Sequence, residues 1–245
     1  SELRIAHDIQ LGMVPEKFTP SVGSELIDIH AILRPAKQVG GDLFDYFMLN
    51  EDEFGFAIGD VSGKGVPAAL LMSTTISQMR SVAMLDTSLN YIINVINRSL
   101  IRNGNTSMFV TFFAGVLNLN TRQLRFCNAG HPYPVMIKAD GSVKVFQTED
   151  NLPLGVSSDY EYKEQTCYFA PGTQLVLYSD GVTEAQNEEA KFYKMERLLQ
   201  FIEKNKNLSS KAMVEGIIAN VDAYAGDAEQ SDDLTVMSLR CDVRR

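Results

Sequence analysis

The stretch Gly41-Asp-Leu-Phe-Asp-Tyr-Phe-Met-Leu-Asn-Glu-Asp-Glu-Phe-Gly-Phe-Ala-Ile-Gly-Asp60 holds two short apolar, aromatic-rich runs separated by four polar residues. Leu43–Leu49 and Phe54–Ile58 read as strands facing each other across Asn50-Glu51-Asp52-Glu53, a connection of hairpin length. A hairpin makes its strands antiparallel neighbours. Upstream, Leu26–Leu33 reads as another strand. Downstream come Met108–Leu117, Gln123–Asn128, Val135–Lys138 and Val143–Gln147, with turn signals at Asn120-Thr121 and Asp140-Gly141. Glu161–Phe169 and Gln174–Tyr178 are expected as a strand pair joined by the tight Ala170-Pro171-Gly172-Thr173, and Leu234–Cys241 as a last strand.

Helical spacing marks 2–13, which ends as the chain meets Pro15, and Pro67–Leu85, which opens with proline in its first turn. Leu89–Ile101 is a further helix, stopped around Asn103-Gly104-Asn105, and two more cover about 192–204 and 210–224. Strands, a helix pair, strands, a second helix pair and a closing strand do not alternate as βαβ units do. The fold class expected is therefore α+β, an αββα sandwich of two mainly antiparallel sheets between two helical layers. A parallel nucleotide-binding sheet is disfavoured.

Composition narrows the function. At 245 residues, 45% of them hydrophobic and 22% charged, the chain can bury a substantial core. Its net charge of −9, with no basic stretch, argues against a general nucleic-acid binder. No apolar run approaches the ~20 residues of a membrane helix, and the N-terminus shows no basic-then-apolar signal pattern. Cys127, Cys167 and Cys241 lack metal or redox spacing, so buried thiols in a reducing cytoplasm are expected.

Asp42, Asp45, Asp60, Asp180 and Asp232 stand at turn-like breaks after apolar runs, with glycine beside most of them. Carboxylates so placed suit hard cations such as Mg2+ and Mn2+, which favour oxygen ligands. The loop Gly59-Asp-Val-Ser-Gly-Lys-Gly65 fails as a nucleotide-binding P-loop, because its glycine spacing is one residue short and Gly65 stands where a hydroxyl is needed. Gly40-Gly41-Asp42-Leu43-Phe44 fails likewise as a diguanylate cyclase signature, because Leu43 replaces an acid.

In order, the chain carries Val39-Gly-Gly-Asp-Leu-Phe-Asp45, Gly59-Asp-Val-Ser-Gly-Lys-Gly65, Asn128-Ala-Gly-His-Pro132, Leu152-Pro-Leu-Gly155, Tyr178-Ser-Asp-Gly-Val-Thr-Glu-Ala185 and Asp232-Asp-Leu-Thr235. This series resembles the PPM superfamily of metal-dependent serine/threonine phosphatases, in its bacterial RsbU/SpoIIE-like branch, over about residues 30–240. The resemblance implies an αββα sandwich with two divalent cations, Mn2+ or Mg2+, in a central cleft. Asp60 would bridge them, the Val61 carbonyl would join one, and Asp42 would fill the first acidic position. Asp180 and Asp232 would hold the other ion. Asp233 takes a position where relatives often have Asn and would support, as would Asp45; Glu184 would assist a weaker third metal. Arg34 or Lys37 would hold the substrate phosphate.

The reaction implied is attack on phosphorus by a water held between the ions, with a serine or threonine oxygen leaving. Eukaryotic relatives often place a histidine where this chain has Ser62. His131 is expected as a supporting residue, a turn histidine that fixes a strand end in preference to a general acid. The partner implied is a phosphorylated STAS-type anti-sigma-factor antagonist in a stress or sporulation-type pathway. Residues 1–16 would be a linker helix from an upstream sensor, able to form a homodimer, and 17–245 the phosphatase domain. The helix after the Asp60 loop would shift on Gly63 and Gly65 when that sensor signals. The rival reading is a catalytically silent module of the same fold.

Overall fold

The computed structural model describes residues 2–16, 26–85, 88–103 and 108–242. The 16/17 boundary and the Gly104-Asn105 helix stop therefore fall at or outside the described residues. The elements run α1 (Glu2–Leu11), β1 (Ile27–Arg34), β2 (Leu43–Met48), β3 (Glu53–Val61), α2 (Val66–Ala83), α3 (Leu89–Asn103), β4 (Val110–Asn118) and β5 (Gln123–Ala129). They continue β6 (Val135–Ile137), β7 (Val143–Val145), β8 (Gln165–Tyr168), β9 (Gln174–Tyr178), α4 (Asp180–Thr183), α5 (Lys194–Lys204), α6 (Ser210–Ala225) and β10 (Leu234–Cys241).

Two five-stranded sheets form, ordered β1-β10-β9-β6-β7 and β2-β3-β4-β5-β8, and every neighbouring pair is antiparallel. Strand periodicity assigns the faces. On β9 and β10, Leu175, Leu177, Met237 and Leu239 join the core shared with the second sheet, whereas Val176, Tyr178, Leu234 and Val236 pack with Leu198, Ile202, Met213 and Ile217 of α5 and α6. Helices α2 and α3 cover the outer face of the second sheet, placing Met72, Ile76, Ile93 and Ile96 in its core. The fold is the αββα sandwich. Between the sheets runs an aromatic ladder in which Phe56 and Phe113 stack at 6.3 Å and Phe113 and Phe126 at 6.0 Å.

One expected pairing is corrected. Segments 161–169 and 174–178 are not a hairpin: β8 pairs with β5 in one sheet, and β9 pairs with β10 and β6 in the other. The Ala170–Thr173 turn does form, with Thr173 N–H donating to the Ala170 carbonyl at 3.0 Å, but it carries the chain from one sheet to the other. Helix α4, four residues long, was absent from the sequence reading because it is too short to show a period.

Phe113 is fully buried. Phe113→Ala should cost about 3–5 kcal/mol in denaturant unfolding, since it removes the middle ring of the ladder and leaves a cavity. A loss below about 1 kcal/mol would mean the sheets close up without the ladder.

Candidate metal centre

Antiparallel pairing decides which acids meet. Leu43 lies opposite Gly59 on β2 and β3, so the next residues outward, Asp42 and Asp60, face each other at the strand ends. Tyr178 lies opposite Val236 on β9 and β10, which carries Ser179, Asp180 and the Asp232-Asp233 pair to the same end of the other sheet.

Asp42 is buried and bridges the two sheets: its Oδ2 accepts from Ser179 Oγ at 2.7 Å and from Thr235 Oγ1 at 2.5 Å. Asp233 holds the loop before Asp42, with its carboxylate accepting from the N–H groups of Ala36 (2.8 Å) and Gly41 (2.6 Å) and, at longer range, Asp42 (3.4 Å). That approach requires glycine at 40, where a Cβ would stand 2.1 Å from Asp233 Oδ2. Gln10 of α1, also buried, secures Gly40 from the other side: its Nε2 donates to the carbonyl at 2.6 Å and its Oε1 accepts from the N–H at 3.1 Å. The Val61 carbonyl lies against Gly41, where a Cβ would come within 2.9 Å of it. Ser62 is occupied with backbone, its Oγ accepting from Phe109 N–H at 2.8 Å.

The charges are strained by their own proximity. Burial, and then the Asp60 charge, push Asp42 well above the usual carboxylate range. Burial followed by Asp180 and Asp232 raises Asp60 to about 7. Asp180 is raised by burial, Glu184 and Asp232. Asp60 and Asp180 line a cleft of about 330 Å³ with Thr111, Gly130, His131 and Tyr133. Beyond Gly181, Asp232 lines a second groove of about 340 Å³ with Arg34, Asp222 and Gln230.

The candidate donors are all oxygen, four carboxylates and a backbone carbonyl, a chemistry that suits hard divalent cations. One cation is already seated there: Lys64 Nζ lies 2.9 Å from Asp232 Oδ2. Among the described residues no three Asp, Glu, His or Cys side chains close around a single point as a finished metal shell. The four carboxylates stand at one end of the sandwich and are not wrapped on one centre.

Other expected residues are placed as follows. Asp45 is buried but paired with Arg80 of α2, at 2.6 Å to Nε, and is not brought to the cluster. Arg34 borders the second groove with its guanidinium on Asp222 (2.6 and 2.9 Å) and Gln230 (2.9 Å); Lys37 is exposed. Glu184 is exposed beside Asp180. His131 is buried in a turn bracketed by Asn128, with Nδ1 3.0 Å from Thr111 Oγ1, and burial pushes its pKa down to about 3 against the pull of the Tyr178 carbonyl. Sequence reasoning missed Ser179, Thr235, Gln10 and Lys64. The two hydroxyls and Lys64 sit inside the quoted motifs; Gln10 lies in the N-terminal segment, whose sequence does not disclose the contact with Gly40.

The two-sheet sandwich flanked by helices is the fold of PP2C-type phosphatase domains. The structure superposes on the SiaA-PP2C domain of Pseudomonas aeruginosa with a TM-score of 0.85 at 21% identity, covering 98% of this chain and 96% of that one. RsbX in complex with magnesium matches at a TM-score of 0.66 and 19% identity, covering 89% of this chain and 96% of that one. The family model for stage II sporulation protein E (SpoIIE) matches residues 50–242, and the chain belongs to this family. It is 32% identical over 240 residues to the phosphoserine phosphatase RsbU of Bacillus subtilis, covering 98% of this chain and 70% of RsbU.

Asp233→Ala should destabilise the protein by about 2–4 kcal/mol, because the Ala36 and Gly41 N–H groups lose their acceptor; an unchanged urea midpoint would show that they find another. In metal-free protein, the Asp60 carboxyl titrates near 7 when folded and near 3.9 when unfolded. The folded state then binds more protons across that window, so stability present at low pH is lost as pH rises from about 4 to 7. Chelator-treated protein should melt lower at pH 8 than at pH 5.5, and Asp60→Asn should flatten the difference. A melting temperature that rises over this interval contradicts the assignment.

Proposed function

We propose that the chain is a metal-dependent phosphatase that removes phosphate from a serine or threonine of a partner protein. The observation that carries this reading is the gathering of Asp42, Asp60, Asp180 and Asp232, with the Val61 carbonyl, at one end of the sandwich, where Asp60 and Asp180 line an open cleft. Asp60 would serve both of two divalent cations, with Asp42 and the Val61 carbonyl on one and Asp180 and Asp232 on the other. RsbX binds magnesium, which favours Mg2+ or Mn2+ here. Such ions, when bound, invert the sign of an acidic cleft and acidify a nucleophilic water.

The chain's own residues then position. Ser179 and Thr235 hold the Asp42 carboxylate at a fixed rotamer. His131, neutral and buried, fixes the Gly130–Pro132 turn that walls the cleft. Arg34, in the groove beside Asp232, would receive the phosphate by exchanging Asp222 for it, with Lys37 as the alternative. Asp233 supports the Asp42 loop from behind, Asp45 anchors α2 through Arg80, and Glu184 would assist a third ion.

The relative RsbU is a phosphoserine phosphatase, and the family resemblance points to a phosphorylated STAS-type anti-sigma-factor antagonist as substrate. An upstream sensor, which the family resemblance implies, is proposed to act through α1, whose Gln10 holds Gly40. Residues 1–16 would be the linker and 17–245 the catalytic domain. Leu3, Ile5 and Ile9 stay exposed on α1 and would suit a second copy. Among the described residues no helix is long and apolar enough to cross a membrane, and the three cysteines are unpaired, which fits a cytoplasmic setting.

The test is phosphate release from a phosphoserine peptide or p-nitrophenyl phosphate across Mn2+ concentrations. Wild-type protein should turn over only with metal, and Asp60→Asn should lose at least about 100-fold in kcat with an unchanged circular dichroism spectrum. Metal-independent release would overturn the mechanism. No release at any Mn2+ concentration would hand the function to a silent binding module.

A further inference from the structure

Lys64 has no assigned role, yet it makes the ion pair with the Asp232 carboxylate. Its Nζ donates to Asp232 Oδ2 at 2.9 Å and to the Ser231 carbonyl at 2.7 Å. Asp232 Oδ1 is already engaged, accepting from Asp233 N–H at 2.9 Å. Lys64 thus holds the Asp232 oxygen that carries no backbone donor. The ammonium also stands in the field of Asp180 and Asp233, and these together with Asp232 keep it protonated.

We propose that Lys64 is the resident counter-ion of Asp232 and competes with a divalent cation for that carboxylate, setting the metal concentration at which the centre fills. This role rests on the phosphatase reading above and goes beyond it. A Mg2+ or Mn2+ ion needs a carboxylate oxygen at about 2.1 Å. With the ammonium on the same oxygen, the two positive centres would repel by several times thermal energy even in water. Lys64 must leave when that ion arrives.

The chain lets it leave. Lys64 lies between Gly63 and Gly65, at φ of +98° and +76°, and a Cβ at Gly65 would meet nothing within 4 Å. The Lys64 and Asp232 side chains are 48% and 38% exposed, so the pair is screened and weak enough to exchange. In the metal-free protein the same contact ties the glycine loop after β3 to the loop before β10. One ammonium thus closes the cleft's edge until a stronger cation replaces it.

The experiment titrates Mn2+ into the chelator-treated full chain, following free Mn2+ by electron paramagnetic resonance and heat by calorimetry. Lys64→Gln should bind the weaker of the two ions about 3- to 10-fold more tightly, the span expected from removing one exposed ion pair and its residual repulsion. Lys64→Arg keeps the cation and should bind as wild type. In an Asp232→Asn background, Lys64→Gln should change affinity no further. Unchanged or weaker binding by Lys64→Gln, or equal tightening by Lys64→Arg, overturns the competition. If wild-type protein takes up no Mn2+ at all, the phosphatase reading fails first and this role fails with it.

Discussion

Carboxylates that repel one another are held at one end of the sandwich because antiparallel pairing delivers them there. Asp42 and Asp60 close one strand pair, and Asp180 and Asp232 flank the other. Burial first, and then the neighbouring carboxylate charges, raise the proton affinity of Asp42, Asp60 and Asp180. Local donors offset part of it: two hydroxyls on Asp42, and the Lys64 ammonium on Asp232. Hydrogen bonds to charged groups contribute about 1.5–3 kcal/mol each, which is enough to hold the side chains but leaves the cluster short of positive charge. A hard divalent cation is the natural remainder.

The sandwich makes such a cluster tolerable. Its rigidity comes from a core filled on both faces of each sheet, so the strand ends cannot splay to relieve the repulsion. The loops at those ends are tied by backbone contacts that only small residues permit, with Asp233 against Gly40 and its carbonyl against Gly181, where a Cβ would stand 1.9 Å away. Gln10 extends the same network to α1, so the N-terminal helix and the Asp42 loop are mechanically one unit.

Much of this was legible in the sequence. The hairpin of β2 and β3, the helix pairs and the final strand follow from local period and turn chemistry, and Asp60 and Asp180 stand out because each ends an apolar run. The β8–β9 connection was not legible, because Ala170-Pro171-Gly172-Thr173 has the chemistry of a hairpin turn. Only partners distant in sequence, β5 for one strand and β10 for the other, decide that it crosses between sheets. The contacts of Gln10 with Gly40 and of Lys64 with Ser231 span 30 and 167 residues, beyond the reach of any local pattern.

Asp45 shows what a stricter reading of strand parity would have added. Residues 42, 44 and 46 point to one face of β2, and 43, 45 and 47 to the other. Asp42 meets Ser179 and Thr235 of the opposite sheet, so the even-numbered face looks between the sheets. Asp45 must then look outward to the helical layer, where Arg80 of α2 meets it. Asp60, cross-strand from Asp42, shares the inner face. Two aspartates three residues apart in one motif are thus sent to different tasks by the pleat alone: one to the cleft, the other to anchor the helix that follows the Asp60 loop.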